Sequence, residues 1–253
     1  MDVSVSLDRR DEFGEFSRTL DLMVRKIANL MDDREEANEL KRRLEIQVLQ
    51  SQINPHFLYN TLGSIGNVIG LGYYDKVDPI IRSLINILEY GIADAAEKVT
   101  LRDELNNVHD YILIQNIRYN KQFVIVEKID PELYDFPVFR MLLQPIVENS
   151  LFHGYNGGQL SGEMIIAAFR DNGLTVIQVE DQGVGMSEDK AAELLIAGEK
   201  KSGSRMRIGL RNIHQRIQLY FGESYGLKVY SEQGKGTCIR AEFPSDLSKE
   251  ESN

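Results

Sequence analysis

Apolar residues recur from Asp11 to Leu44 in alternating steps of four and three: Phe16, Leu20, Met23, Ile27 and Leu30, then Ala37, Leu40 and Leu44 after one longer gap. That is heptad spacing, and charges such as Arg25, Lys26, Asp32, Asp33, Arg34, Glu35 and Glu36 fill the positions between. So narrow an apolar stripe needs a second helix to cover it, which predicts a parallel homodimeric coiled coil; a single helix lying on its own domain is the alternative. The seam then meets Asn54-Pro55, where either the helix kinks or Asn54 caps a new helix with Pro55 at its first position. Beyond the break, Leu58, Leu62, Ile65 and Ile69 follow helical spacing and predict a buried stripe. His56, Asn60, Gly63 and Asn67 form a row rotated from it by about 200°, so His56 is expected to face solvent or another domain.

A second helix is expected from about Pro79, with Asp78 as its cap and Ile80, Leu84, Ile87 and Leu88 as its apolar face. Residues 93–99 read as loop. Thr100-Leu101-Arg102-Asp103 resembles a capping box that opens a third helix with Leu101, Leu105, Val108 and Ile112 inward. These segments suit an antiparallel bundle. From Phe123 the period changes: Phe123 to Val126 is strand-like, and a helix is expected from Pro137 with Leu142, Leu143, Ile146, Val147, Ser150 and Leu151 inward. Glu163 to Arg170 and Leu174 to Glu180 read as strands joined by Asp171-Asn172-Gly173, a hairpin signal because Asn-Gly tolerates positive φ. Ser187 is placed to cap a short helix, a basic glycine-containing loop covers Gly198 to Arg207, and a helix follows from Gly209 to Phe221. Leu227 to Glu232 and Thr237 to Phe243 form a last hairpin. The fold class is α+β: an N-terminal helical coiled coil and bundle, then a two-layer sandwich with helices on one face of a mainly antiparallel sheet.

Composition narrows the function. The chain of 253 residues is 42% hydrophobic and 27% charged, enough for a core and typical of a soluble globular protein. A net charge of −10 argues against nucleic acid as main partner, since phosphate backbones select basic surfaces. Cys238 is the one cysteine and cannot form an internal disulfide. No apolar run reaches the length of a spanning helix, so the chain as given is expected to be soluble.

Several residues can carry chemistry. Asn149 and His153 are four apart on one predicted helix; a carboxamide oxygen is a hard ligand suited to Mg²⁺, and a histidine one turn on can donate to a phosphate. Asp181-Gln182-Gly183-Val184-Gly185 places a carboxylate at a strand end beside backbone that a flat ligand can approach, an arrangement able to accept from an adenine amino group. Gly203 and Gly209 bracket Arg205 and Arg207, with Lys200 and Lys201 just upstream, and lead into a helix whose N-terminus favours phosphate. Gly234-Lys235-Gly236-Thr237 can bring the Thr237 hydroxyl to the same pocket. Singly, each also reads as a cap, a turn or a solvated loop; their order is more specific.

That order, Asn-x-x-x-His, Asp-x-Gly-x-Gly, a glycine-bounded lid into Gly209-Leu210 and Gly-x-Gly-Thr, resembles the Bergerat-type ATP-binding domain of histidine kinases, gyrase-type ATPases and related chaperones. Leu142 to Asn149 and Gln52-Ile53-Asn54-Pro55-His56-Phe57-Leu58-Tyr59-Asn60 look like the LytS/YesM-type bacterial sensor histidine kinases, and residues 8–31 look like the second half of a HAMP relay module. The resemblance implies ATP and Mg²⁺ as ligands, with Asn149 on the metal, His153 near the phosphates and Asp181 on adenine. Gly183, Gly185, Gly203, Gly209, Leu210 and Thr237 would shape or contact the pocket. His56 would be the phosphoacceptor, Asn60 would be placed for a phosphatase or accessory role, and a response regulator aspartate would receive the phosphoryl group.

The implied organisation is a relay end and coiled-coil linker at 1–36, a dimerisation and phosphotransfer bundle at 37–120, a catalytic domain at 121–246 and a tail at 247–253. The parent would be a bacterial membrane sensor whose spanning segments lie upstream. Three positions depart from the wider pattern. Phe57 follows His56 where many such kinases carry an acid, Arg207 replaces a glycine of the lid, and Pro145 replaces the glutamate that activates water in the gyrase-type ATPases. Pro145 and the presence of His56 favour transfer to a side chain over an ATPase clamp; Phe57 and Arg207 leave a nucleotide-binding scaffold as the alternative to a kinase.

Overall fold

The computed structural model describes residues 26, 55–92, 98–155, 161–195 and 205–245. The expected coiled coil, the relay-like segment, Asn54, Gly203, the lid lysines and the tail lie outside the described residues. Leu49–Asn253 forms one compact unit, distinct from Met1–Val48.

Helix α1, Pro55–Gly70, and helix α2, Val77–Ile92, form a hairpin joined through a 3₁₀ turn at Tyr74–Lys76. Pro55 at the start of α1 gives up no helical bond there, because the first N–H groups of a helix have no partner. The buried row of α1 is not the expected Leu58, Leu62, Ile65 and Ile69. It is Phe57, Thr61, Ser64 and Val68, one residue round the helix, while Leu62 and Ile69 are exposed and Leu58 and Ile65 only half-buried. Two small hydroxyl residues can occupy this row because they satisfy themselves: Thr61 Oγ1 donates to the Phe57 carbonyl and Ser64 Oγ to the Asn60 carbonyl, each at 2.8 Å. Periodicity found an apolar row, but that row is not the one the fold buries. Asp78 lies within the first turn of α2, where its carboxylate accepts from Arg82 Nε at 2.7 Å.

Strand β1, Lys98–Thr100, replaces the end of the expected loop and leads directly into α3, Leu101–Tyr119. The capping box forms as expected: Thr100 Oγ1 accepts from the Asp103 N–H and the Asp103 carboxylate accepts from the Thr100 N–H. Leu101, Leu105, Val108 and Ile112 are all buried. α3 is joined to the sandwich at both ends. Asn116 exchanges two hydrogen bonds with the backbone of Phe123 at the start of β2, Gln122–Ile129. At the other end β1 pairs with β3, Pro137–Phe139, where a helix had been expected. Proline suits the first residue of so short a strand, and helix α4 starts only at Gln144, running to Asn149.

Strands β4 (Ser161–Asp171), β5 (Leu174–Asp181), β6 (Gly226–Glu232) and β7 (Gly236–Pro244) complete a sheet of order β2-β4-β5-β7-β6. All pairings are antiparallel except β2 with β4. The β4–β5 turn has Asn172 and Gly173 at φ 48 and 79°, the conformation the Asn-Gly pair favours. One sheet face is continuous core, with Met164, Ile166, Ala168, Ile177, Val179, Ile239, Ala241 and Phe243 buried in cross-strand rows. Against it lie α4 and α6, Arg205–Phe221, through Ile146, Val147, Leu210, Ile213 and Ile217. The other face carries polar pairs such as Lys228 with Glu242 at 2.7 Å and Arg240 with Gln178 at 2.9 Å. α6 begins before Gly209, so this glycine sits inside a helix, where its bare Cα lets Pro145 of α4 approach; an added Cβ would lie 3.2 Å from Pro145 Cβ.

Candidate nucleotide site

The sheet register builds the centre of the site. Met164, Asp181, Thr237 and Ser231 lie opposite one another on four adjacent strands, and this row ends the buried face. Asp181 is 1% exposed. Its Oδ1 accepts from the Gly183 N–H at 3.0 Å and the Thr237 N–H at 3.3 Å. Burial raises the Asp181 carboxyl above the usual carboxylate range, and the Ser150 hydroxyl and these two N–H groups oppose that rise. Oδ2 is buried without a hydrogen-bond partner among the described residues. A buried acceptor left open is costly, and a ligand N–H aimed at it removes the cost.

The backbone around this carboxylate is packed to van der Waals limits. Val184 N–H donates to the Gly154 carbonyl at 2.8 Å, and a Cβ on Gly183 would lie 2.1 Å from that same oxygen. Gly185, at φ 59°, passes so close to the β6–β7 hairpin that a Cβ would lie 2.0 Å from the Glu232 carbonyl oxygen. The Asp-x-Gly-x-Gly turn is thereby wedged between hairpin and helix. Ser231, which no sequence motif singled out, ties the turn further: its hydroxyl donates to the Gly236 carbonyl and accepts from the Met186 N–H, both at 2.9 Å. Its one proton being committed, the contact with Thr237 Oγ1 at 2.9 Å has Thr237 as donor.

α4 delivers the second half of the site. Asn149 is its last residue and is buried, and the chain continues as a π turn over Ser150–Gly154, which carries His153. Such widened turns concentrate at functional sites. Here the turn brings the Ser150 hydroxyl and Gly154 onto Asp181, so the Asn149 and Asp181 motifs converge. Tyr155 follows the turn: buried, its ring lies 5.0 Å from that of Phe123 at a tilt of 43°, and its hydroxyl donates to the Glu163 carbonyl. Leu210, on α6, is fully buried. An open cleft of about 790 Å³ runs from Asp181 and Thr237 past Met186, Ala191 and Ala192 of α5 (Glu188–Glu193) to Tyr230. The unpartnered Asp181 oxygen and the glycine-lined turn fit an adenine base.

Two carboxylates that sequence reasoning passed over, Glu104 wholly buried and Glu148 partly buried, bear on α4. Glu104, wholly buried on α3, accepts from the Met141 N–H at 2.6 Å, the Leu143 N–H at 2.7 Å and the Tyr90 hydroxyl at 2.5 Å. Burial raises its carboxyl, opposed by these donors and by the nearby Arg216 guanidinium. Met141, at φ 62°, holds a left-handed conformation unusual for a non-glycine residue, and the Glu104 oxygen occupies the concavity so formed. Glu148, beside Asn149, is also raised by burial and receives hydrogen bonds from Gln144 and from the Tyr111 hydroxyl of α3. The only hint of either in the sequence was an acidic residue on an apolar face.

His56 is the second residue of α1, and its row neighbours Gly63 and Asn67 are exposed. The ring of Phe57, the next residue, lies 5.4 Å from that of Tyr111. The structure thus brings Asn149, Asp181, Gly183, Gly185 and Thr237 together.

Comparison with known proteins agrees with this geometry. Residues 44–123 match the family described as histidine kinase, and residues 135–247 match the histidine kinase-, DNA gyrase B- and HSP90-like ATPase family. The sensor histidine kinase YesM of Bacillus subtilis is 34% identical over 96% of this chain and 41% of its own length. The sensor histidine kinase YpdA of Escherichia coli is 32% identical over 77% of this chain and 34% of its own, and the sensor protein kinase HptS of Staphylococcus aureus 25% identical over 94% and 45%. The chain spans less than half the length of these relatives. With its helices matching the histidine kinase family, its sandwich matching the ATPase family and these relatives, the chain belongs to the histidine kinase family, of the YesM and LytS type.

Proposed function

We propose that this chain is the kinase portion of a two-component sensor, that it phosphorylates its own His56 from ATP, and that it passes the phosphoryl group to an aspartate of a response regulator. The observation that carries this reading is the open, buried Asp181 Oδ2 in its glycine-lined turn, built in the same compact unit as the helix bearing His56. Asp181 accepts the adenine amino group, Gly183, Gly185 and Thr237 shape the pocket, and Asn149 holds Mg²⁺ on the phosphates with His153 beside them. Gly203, Gly209 and Leu210 belong to the lid and its anchoring helix. Bound Mg²⁺ supplies charge that offsets the triphosphate.

An imidazole has a reference pKa near 6.5, so about half or more of such rings are neutral at cellular pH. The lone pair of a His56 ring nitrogen forms the N–P bond while the bond from the γ-phosphorus to the bridging oxygen breaks. ADP leaves with that electron pair, and the proton on the other ring nitrogen passes to water. Pro145 stands where a water-activating carboxylate would be needed for hydrolysis, which favours transfer to the side chain. The exposed apolar face of α1 and α2, with Tyr59, Leu62, Ile69, Ile81 and Ile85, is covered by a second copy in a homodimer. The bundle contributes residues 37–120 and the catalytic domain residues 121–246, preceded by a relay end in a membrane-anchored parent.

Incubation with γ-labelled ATP and Mg²⁺ tests the reading. Acid-labile, alkali-stable label is expected on the wild type and none on His56→Gln. Tight ATP binding without label would replace the kinase by a nucleotide-binding scaffold.

A further inference from the structure

A polar stripe runs along α3. Asn107, Tyr111, Gln115 and Arg118 recur at helical spacing, and the first three are buried. Asn107 donates to Gln144 of α4 at 3.0 Å, Gln144 donates to Glu148 at 3.2 Å, and the Tyr111 hydroxyl bonds to the Glu148 carboxylate. Farther along, the ring of Tyr119, the last residue of α3, meets that of Phe152 in the π turn edge-on at 6.3 Å. α3 therefore touches the crossover at Glu148 and again at Phe152. Each of these is followed at once by a residue of the motif, Asn149 and His153.

Near this end the stripe is left open. Gln115 Oε1 is buried with no hydrogen-bond partner among the described residues. The Arg118 side chain makes neither hydrogen bond nor ion pair among them; its guanidinium lies over the Tyr119 ring at 4.6 Å and acts on the Tyr111 hydroxyl. The helix end closes without it, because the N–H groups of Asn120 and Lys121 already donate to the Asn116 and Ile117 carbonyls. Lys121, the neighbouring cation, lies over two rings, 5.7 Å from Tyr119 and 5.3 Å from Phe123. Arg118 thus brings a rigid fork of donors, charged at every working pH, to the crossover that delivers Asn149, and no anion of the described chain takes it up. With the base at Asp181 and the metal at Asn149, the γ-phosphate is the part of the nucleotide farthest from the base.

Resting on the kinase reading above, we propose that Arg118 is a catalytic residue whose guanidinium binds the γ-phosphate of ATP and stabilises the charge on its oxygens as the phosphoryl group moves. The reaction is the transfer already written: the N–P bond forms as the bond from the γ-phosphorus to the bridging oxygen breaks, and ADP leaves with that electron pair. Arg118 gives up no proton and forms no covalent bond.

The test uses the full chain with Arg118→Gln, Arg118→Lys and, for the cation next to it, Lys121→Gln. Titration calorimetry with Mg²⁺ and either ADP or the non-hydrolysable β,γ-imido analogue of ATP reads the contact, since only the analogue carries the third phosphate. In Arg118→Gln the analogue is expected to bind about tenfold more weakly while ADP binds as in wild type. Labelling from γ-labelled ATP is expected to slow about a hundredfold, the scale for losing one preorganised donor. Arg118→Lys keeps the charge without the fork and should fall between, and Lys121→Gln should keep the wild-type ratio of the two affinities. A purely structural Arg118 would weaken both nucleotides together. Equal loss for both, an unchanged ratio in Arg118→Gln, or the same selective loss in Lys121→Gln overturns the proposal. The calorimetry does not depend on transfer, so the two readings fail separately. A wild type that binds the analogue but takes no label removes the kinase reading, whereas a labelled wild type with an unchanged ratio in Arg118→Gln removes only the role of Arg118.

Discussion

The hydroxyl of Tyr90, near the end of α2, donates to the buried carboxylate of Glu104, near the start of α3, at 2.5 Å. The same carboxylate fixes Met141 and Leu143, and Arg140 closes the group by donating to the Tyr90 carbonyl at 2.8 Å and lying over the Tyr90 ring at 4.5 Å. The α1–α2 hairpin and the Asn149 helix are thus tied to one buried group. Glu104→Ala strands two N–H donors and the Arg216 charge, and is expected to cost about 3–5 kcal/mol, the scale for breaking a buried charged network. Tyr90→Phe removes a single bond and should cost about 1 kcal/mol. Chemical denaturation of both variants checks the ratio; equal costs would show that Glu104 is not the hub.

Gly154 presses on Asp181 so closely that an added Cβ would lie 2.7 Å from Oδ1 and 2.9 Å from Cγ. Gly154→Ala is therefore expected to displace the carboxylate and weaken ATP binding by tenfold or more. The discrimination against GTP should fall with it, because the acceptor that reads the base has moved. Titration calorimetry with both nucleotides measures the two effects, and unchanged discrimination would remove Asp181 from the adenine position.

Leu62 and Ile69 are 52% and 44% exposed on the α1 face assigned to a second copy. The double variant Leu62→Glu, Ile69→Glu is expected to halve the mass seen by light scattering while leaving the melting temperature of the sandwich unchanged. An unchanged mass would place the interface elsewhere.

His214 of α6 is partly buried, and its Nδ1 accepts from the Leu227 N–H at 3.0 Å. Burial lowers its pKa below the usual value, and protonating Nδ1 also breaks that bond. The neutral ring is the form the fold favours, so this contribution is complete above about pH 6.5 and is lost as pH falls below it toward the depressed folded value. Melts between pH 8 and pH 5 should show wild type losing stability relative to His214→Gln. A constant difference would contradict the assignment.

Much of this was legible in the residues. The capping box of Thr100 and Asp103 is a local device, and so is the Asn172-Gly173 turn; short-range chemistry decides both. Asp181 and Thr237 lie opposite one another because the pairing of β5 with β7 fixes that register regardless of loop detail. Long-range partnership was not legible. Pro137–Phe139 is a strand only because β1 lies beside it, and Glu104 acquires its role from a turn far along the chain. The buried row of α1 shifted by one residue because Thr61 and Ser64 bond to their own helix, leaving the apolar row free for a different surface.

The parallel pairing of β2 with β4 closes a longer stretch of chain than either hairpin of the sheet. The β4–β5 and β6–β7 hairpins close through tight turns, but β2 meets β4 only after the chain has passed through β3, α4 and the π turn. Closing a long loop costs entropy before the pairing repays it, so such contacts form late. The segment spanned by that closure carries Asn149 and Gly154. A molecule that has paired β2 with β4 has therefore already compacted the crossover that carries Asn149 and Gly154.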